Sequence, residues 1–98
     1  MSIKSPSHTF ATTNPEPLSI TDSTPYAAIC VISRKEPTPN TGVVRVGGDD
    51  ISASEGGKDL DVGGAFWFGP AEGLSWTLTE LYGVGAVGDT VDTICKKW

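Results

Sequence analysis

Residues 26–33 read YAAICVIS and form the longest stretch of the chain that favours a β-strand on both faces. Successive side chains of a strand alternate between its two faces. One face would carry Tyr26, Ala28, Cys30 and Ile32, and the other Ala27, Ile29 and Val31. Because both sets are apolar, we expect a central strand. A second sheet would cover one face, and a loop, an arm or another subunit would cover the other.

Shorter extended segments surround this strand and are separated by turns rich in glycine and proline. They are predicted at residues 18–21, 43–46, 60–62, 65–68, 76–79, 81–86 and 91–96, with a short return near residue 51. No helical period persists beyond one turn. The expected fold is all-β, a compact antiparallel β-sandwich or Greek-key barrel of about seven or eight short strands.

The N-terminal segment has a different composition, rich in serine, threonine and proline. After Met1, its only large aliphatic or aromatic side chains are Ile3 and Phe10. We therefore predict an extended arm at residues 1–17, followed by a single sandwich domain at residues 18–98. An extended arm can add a strand to a partner's sheet, so Ile3 and Phe10 are candidate partner contacts.

Two glycines, Gly83 and Gly85, interrupt the strand predicted at residues 81–86. Glycine weakens a strand unless another group must approach closely at that point. A bulky side chain is therefore expected over these positions, with Phe66, Phe68 and Trp76 as the candidates.

Charge and hydropathy argue against two classes of partner. The chain has 98 residues, a net charge of −5, and no cationic cluster beyond two Lys/Arg pairs at residues 34–35 and 96–97. Nucleic-acid binding requires clustered positive charge, so it is not expected. The longest apolar run covers only residues 27–32, and the start lacks the pattern of a signal peptide, so neither secretion nor a membrane span is expected.

Residues that carry catalysis or bind metals are sparse and poorly placed. The single histidine, His8, lies in the predicted arm, where a general base would be badly positioned. The acidic pairs Asp49-Asp50 and Asp59/Asp61 lie beside glycine-rich turns, where aspartate usually caps backbone N–H groups. We therefore predict no enzyme activity, no cofactor and no metal.

The two cysteines, Cys30 and Cys95, match neither a redox pair nor a zinc pattern. Each occupies an apolar position of a predicted strand. Buried thiols are therefore favoured over a disulfide.

Aromatic residues suggest an alternative function. Trp67, Trp76, Trp98 and Tyr82 would form a sugar-stacking platform if they shared one surface. In a domain of this size such residues more often fill cores and interfaces.

Five segments together carry a resemblance to a known group of proteins. They read VVRVG at 43–47, ISAS at 51–54, GKDLDVGGAFWF at 57–68, LTELYGVGA at 78–86 and GDTV at 88–91. This half of the chain resembles the small β-sandwich virion proteins of tailed phages. It departs from them in Gly63-Gly64, where proline-glycine is common, and in a long Pro/Thr-rich loop at residues 36–42.

The resemblance implies a virion subunit that is assembled in the host cytoplasm. We expect a capsid decoration, or cement, protein that binds the major capsid protein or another virion protein and stabilises the shell. A neck, fibre or tail accessory subunit and a carbohydrate-binding module for host attachment are the alternatives.

We expect a homo-oligomer, a trimer, because the predicted strands have one apolar face that a second sheet would leave uncovered. In a two-layer sandwich only one face of each sheet is inward. Either the face with Ile29 and Val31, or the side chain of Trp67, would therefore need a partner. Trp67 would point away from the side shared by Phe66 and Phe68.

Overall fold

The computed structural model describes residues 3–52 and 54–97, and within them the regular structure is entirely β. The strands are β1 (Ile3–Lys4), β2 (Ser7–Thr9), β3 (Glu16–Pro17), β4 (Ala28–Ser33), β5 (Val44–Gly47), β6 (Lys58–Leu60), β7 (Ala65–Phe68), β8 (Tyr82–Val84) and β9 (Thr90–Lys96). The described residues contain no helix, and therefore no helical segment that would cross a bilayer.

The strands form two antiparallel sheets. Sheet A has the order β1-β9-β4-β7, with β2 also pairing with β9, and sheet B has the order β3-β8-β5-β6. Their apolar side chains form one core cluster. The prediction of an all-β sandwich is confirmed.

Strand β4 is central in sheet A, between β9 and β7, as its pattern predicted. Ile29 and Val31 are 0% exposed and belong to the core between the sheets. On the opposite face, Ala28 and Cys30 are also buried. The face with Ile29 and Val31 is thus covered by the chain's own second sheet, so of the two surfaces predicted to need a partner only the side chain of Trp67 remains.

The N-terminal segment is extended, but it is part of the sandwich. Strands β1 and β2 run along β9 and form one edge of sheet A, while β3 forms an edge of sheet B. Phe10, between these strands, is 1% exposed and lies in the core. Residue 17 is therefore no boundary between an arm and a body, because the segment supplies strands to both sheets and a core side chain.

Phe10 also occupies the space above the two strand glycines. A Cβ atom on Gly83 would lie 3.0 Å from Cε1 and Cζ of the Phe10 ring, and one on Gly85 would lie 3.1 Å from its Cε2. The close approach was predicted correctly. The assignment to Phe66, Phe68 or Trp76 was wrong.

Two predicted strands are turns instead. In residues 18–21, the Ser19 hydroxyl accepts hydrogen bonds from the backbone N–H groups of Thr21 and Asp22. Near residues 76–79, the only pairing is an isolated bridge between Trp76 and Tyr26, and Glu80 N–H then bonds to Thr77 C=O. In both places side-chain or local backbone bonds compete successfully with a sheet ladder.

The proline-rich loop after β4 is fixed by a buried amide. Asn40 is 8% exposed, and its Nδ2 donates to the Thr90 carbonyl at 2.8 Å while its Oδ1 accepts from the Thr90 N–H at 2.8 Å. The same Nδ2 donates to Ser33 Oγ. These bonds hold the loop against the start of β9.

Candidate docking face of sheet A

The outer face of sheet A carries an apolar surface whose largest side chain is Trp67, on the edge strand β7. The strand register pairs Cys30 with both Trp67 and Ile94, and pairs Ile3 with Lys96. Directly paired residues of adjacent antiparallel strands project from the same face. We call the set Ile3, Trp67, Ile94 and Lys96 the outer patch.

The members of the outer patch remain accessible although the strands that carry them are ordered. Trp67 is 43% exposed and Ile3 is 58% exposed, while Ile94 is half-buried. The Lys96 ammonium lies 5.1 Å from the centre of the Trp67 ring, which is cation–π geometry. A rigid aromatic side chain is thus presented beside a positive charge.

The charge of this face differs from that of the whole chain. Lys4 pairs with the buried Cys95 and so projects from the opposite face. The net charge is −5, yet the strand residues on the outer face of sheet A carry one cation, Lys96, and one carboxylate, Asp92. That carboxylate is bonded to Arg34, which donates from Nε to Oδ2 at 3.0 Å. The other acidic residues lie in sheet B or in loops. The outer patch is therefore an apolar and cationic region on an acidic protein.

The structure separates the predicted interface residues into two groups. Ile3 and Trp67 lie on the same outer face of sheet A, on its two edge strands β1 and β7. Phe10, Ile29 and Val31 are buried in the core, so their prediction as partner contacts was wrong. Ile94 and Lys96 were missed, because only the pairing of β9 with β4 places them on the same face as Trp67.

The single histidine has a structural partner. His8 Nε2 lies 3.0 Å from Glu16 Oε1, and the imidazole packs edge-on against Phe10 with the ring centres 5.3 Å apart. Glu16 also accepts bonds from the backbone N–H groups of Ala11 and Thr12. Burial alone would raise the pKa of Glu16, but the bonds from Thr12, His8 and Ala11 outweigh it and lower the pKa. This arrangement closes the loop between β2 and β3.

The predicted acidic pairs stay apart from each other. Asp49 and Asp50 are exposed in the turn after β5, whereas Asp59 on β6 forms an ion pair with Arg45 at 3.0 Å. Asp61 is exposed in the turn that leads to β7. Among the described residues, no group of three or more His, Cys, Asp or Glu side chains is arranged to hold a metal ion.

The two cysteines are buried free thiols, as predicted. Burial raises the pKa of both thiols. Cys95 lies in the core, and Cys30 lies under the outer face of sheet A. A raised pKa keeps each sulfur in its unreactive, protonated form at neutral pH.

The described members of the alternative aromatic platform are not assembled on one surface. Trp67 is on the outer face of sheet A, Trp76 packs against the core, and Tyr82 is on the outer side of sheet B, paired with Gly47. Trp98 lies outside the described residues. The three described rings therefore do not share one surface.

Acid is expected to weaken the attachment of the N-terminal segment. The hydrogen bond from Arg34 lowers the pKa of Asp92, which also accepts a bond from Ser7 on β2 at 2.7 Å. The bond from Tyr26 likewise lowers the pKa of Asp22. A carboxyl whose folded pKa is below its unfolded value of about 3.9 stabilises the fold above that value and stops doing so as pH falls through the folded pKa.

We therefore expect the melting temperature to fall as pH is lowered from about 5 to 3. The slope should be shallower in Asp92→Asn, which removes one of the responsible carboxyls. Thermal unfolding followed by circular dichroism measures both. Equal slopes for the wild type and Asp92→Asn would contradict the assignment to this ion pair.

Comparison with protein families, with curated proteins and with solved structures found no match to this chain.

Proposed function

We propose that this chain is a non-enzymatic structural subunit of a phage particle, a capsid decoration protein that binds the outer surface of the shell through the outer patch. The major capsid protein is the proposed partner. The resemblance of the C-terminal half to small virion β-sandwiches supports a role in a phage particle. The outer patch supports binding through the outer face of sheet A.

The exposed ring of Trp67 is the observation that carries this proposal. Tryptophan is among the residues that contribute most binding free energy to protein interfaces, especially at their centres. Here the Lys96 ammonium lies over the ring, and Ile94 and Ile3 lie two and three strands away on the same face of the sheet. Its backbone position is set by the ladder with β4, so little conformational entropy is lost when a partner covers the ring.

A repeating lattice suits a single patch of this size. One small apolar surface with one tryptophan supplies modest affinity by itself. When the partner is present in many copies and the subunit is oligomeric, each further contact becomes intramolecular and the overall affinity rises. The acidic remainder of the surface keeps the unbound protein soluble.

Trp67→Asp is expected to reduce binding to particles assembled without this protein by about 30-fold, the equivalent of the roughly 2 kcal/mol of a hot-spot residue. Ile20→Asp is the matched control, because Ile20 is 84% exposed and lies in the turn after β3, outside the outer patch. Co-sedimentation with the particles measures both variants.

Equal binding by the two variants would contradict the role of Trp67. Retention on purified host cell wall that is abolished by free sugar would contradict the decoration role and favour a host-attachment module. Cryo-electron microscopy of the reconstituted particle would then give the position and copy number.

A further inference from the structure

Strand β7 has a free edge. Ser33 N–H donates to the Gly64 carbonyl at 2.8 Å, and this bond shows which residue pairs along β4 and β7 exchange hydrogen bonds. In an antiparallel ladder every second residue exchanges hydrogen bonds with its neighbour. Phe66 and Phe68 therefore bond to β4, while the backbone groups of Ala65 and Trp67 point away from the sheet. Within the part of the chain that the structure describes, no other strand pairs with β7.

A groove opens on the inner side of this edge. It has a volume of about 340 Å³ and lies between β7 and the β5–β6 hairpin, lined by Val46, Gly47, Gly57, Lys58, Phe66 and Phe68. Phe66 and Phe68 pack edge to face with their ring centres 5.1 Å apart, and Phe66 remains 38% exposed. A strand added beside β7 would place every second side chain at this groove and the others beside Trp67.

Lysines flank the edge on three sides. Lys58 lines the groove, Lys96 lies over the Trp67 ring, and the Lys35 stem lies against Gly63, just before β7. Strand β7 itself, with the sequence AFWF, is uncharged. One exposed carboxylate, Asp61, lies in the turn before β7, so the three lysines outnumber it at this edge. The edge therefore favours a segment that is extended, partly apolar and acidic.

We infer that the β7 edge binds an extended acidic segment of the particle protein by strand addition. This inference rests on the proposed function and deepens it, since it specifies the chemistry of the partner. A second copy of this chain is a poorer fit, because pairing β7 with its own copy would bring the lysines of both copies to one edge, where like charges repel.

Ala65→Pro tests the inference directly. The Ala65 N–H points away from β4, so proline there removes an outward donor and places its ring at the edge without breaking the ladder. We expect at least about a tenfold loss of particle binding, because main-chain bonds supply much of the affinity in strand addition. Thr38→Pro, in the exposed proline-rich loop, is the control and should bind as the wild type does.

Lys58→Glu is a second variant that leaves the backbone unchanged and guards against misfolding of Ala65→Pro. It should weaken binding about two- to fivefold, the range of an exposed charge pair, and the loss should shrink in high salt. Near-ultraviolet circular dichroism verifies that each variant is folded.

If Ala65→Pro and Lys58→Glu both bind particles as strongly as the wild type, the strand-addition inference is overturned and the proposed function still stands. A wild type that does not bind particles would overturn both. A wild-type dimer in light scattering that Ala65→Pro converts to monomers would also overturn the inference, because the edge would then be occupied by a second copy.

Discussion

Phe10→Ala is expected to lower the free energy of unfolding by about 3–5 kcal/mol, the range for removing a buried phenylalanine side chain. The ring is 1% exposed and lies over both Gly83 and Gly85, whose missing side chains leave no atoms to fill the space that the substitution would create. Its loss would also loosen the connection between β2 and β3, which belong to different sheets.

Urea unfolding followed by tryptophan fluorescence measures this loss. Ile3→Ala is the matched control, since Ile3 lies in the same N-terminal segment but is 58% exposed, and it should change the free energy of unfolding by less than about 1 kcal/mol. A Phe10→Ala variant as stable as Ile3→Ala would show that the N-terminal segment is not part of the core.

Gly83→Ala tests the same contact from the other side. The new methyl group would lie 3.0 Å from two atoms of the Phe10 ring, so the variant should be destabilised by about 1–3 kcal/mol. In the double variant Phe10→Ala/Gly83→Ala the methyl group would occupy vacated space. The double variant should therefore lose less free energy of unfolding than the sum of the losses in the two single variants.

The strands of the sandwich could be predicted where the pattern is local. Residues 26–33 and 65–68 carry their alternation within the strand itself, and the structure forms β4 and β7 there. The strand predicted at residues 18–21 failed because Ser19 bonds to the backbone of its own turn, a competition that alternation does not reveal.

The role of Phe10 could not be read from its neighbours in sequence. The surrounding residues are mostly polar or proline, and the pairings that bring Phe10 into the core join β2 to β9 and β3 to β8. A signal was nevertheless present. Gly83 and Gly85 required one bulky ring, and Phe10 and Trp98 were the two large aromatic residues outside the predicted strands.

The candidate site could be predicted only where the pattern is local to one strand. Alternation with Phe66 and Phe68 predicts that Trp67 lies on the outer face, and it does. For β4, both faces are apolar, so the pattern did not decide that Ile29 and Val31 face the core. The position of Lys96 over Trp67 depends on the register of two strand pairs, which no single segment encodes.

Gly57→Ala is expected to cause the other large loss of stability, about 2–5 kcal/mol. Gly57 has φ +71°, a left-handed conformation that costs an alanine roughly 1–2 kcal/mol. An added Cβ would also overlap the Val46 carbonyl oxygen and lie 3.0 Å from its carbonyl carbon, and overpacking of this kind adds about 1–3 kcal/mol. Because both atoms belong to the backbone of β5, relief requires the β5–β6 hairpin to shift.

Gly73→Ala separates the two contributions. Gly73 has φ +77°, nearly the same conformation, but nothing lies within 4 Å of its would-be Cβ. It should therefore show the conformational part alone, about 1–2 kcal/mol. The difference between the two variants in urea unfolding is the contribution of the close approach between Gly57 and Val46. Equal losses would mean that the hairpin adjusts freely, and the wall of the groove beside β7 would then be less rigid than its packing indicates.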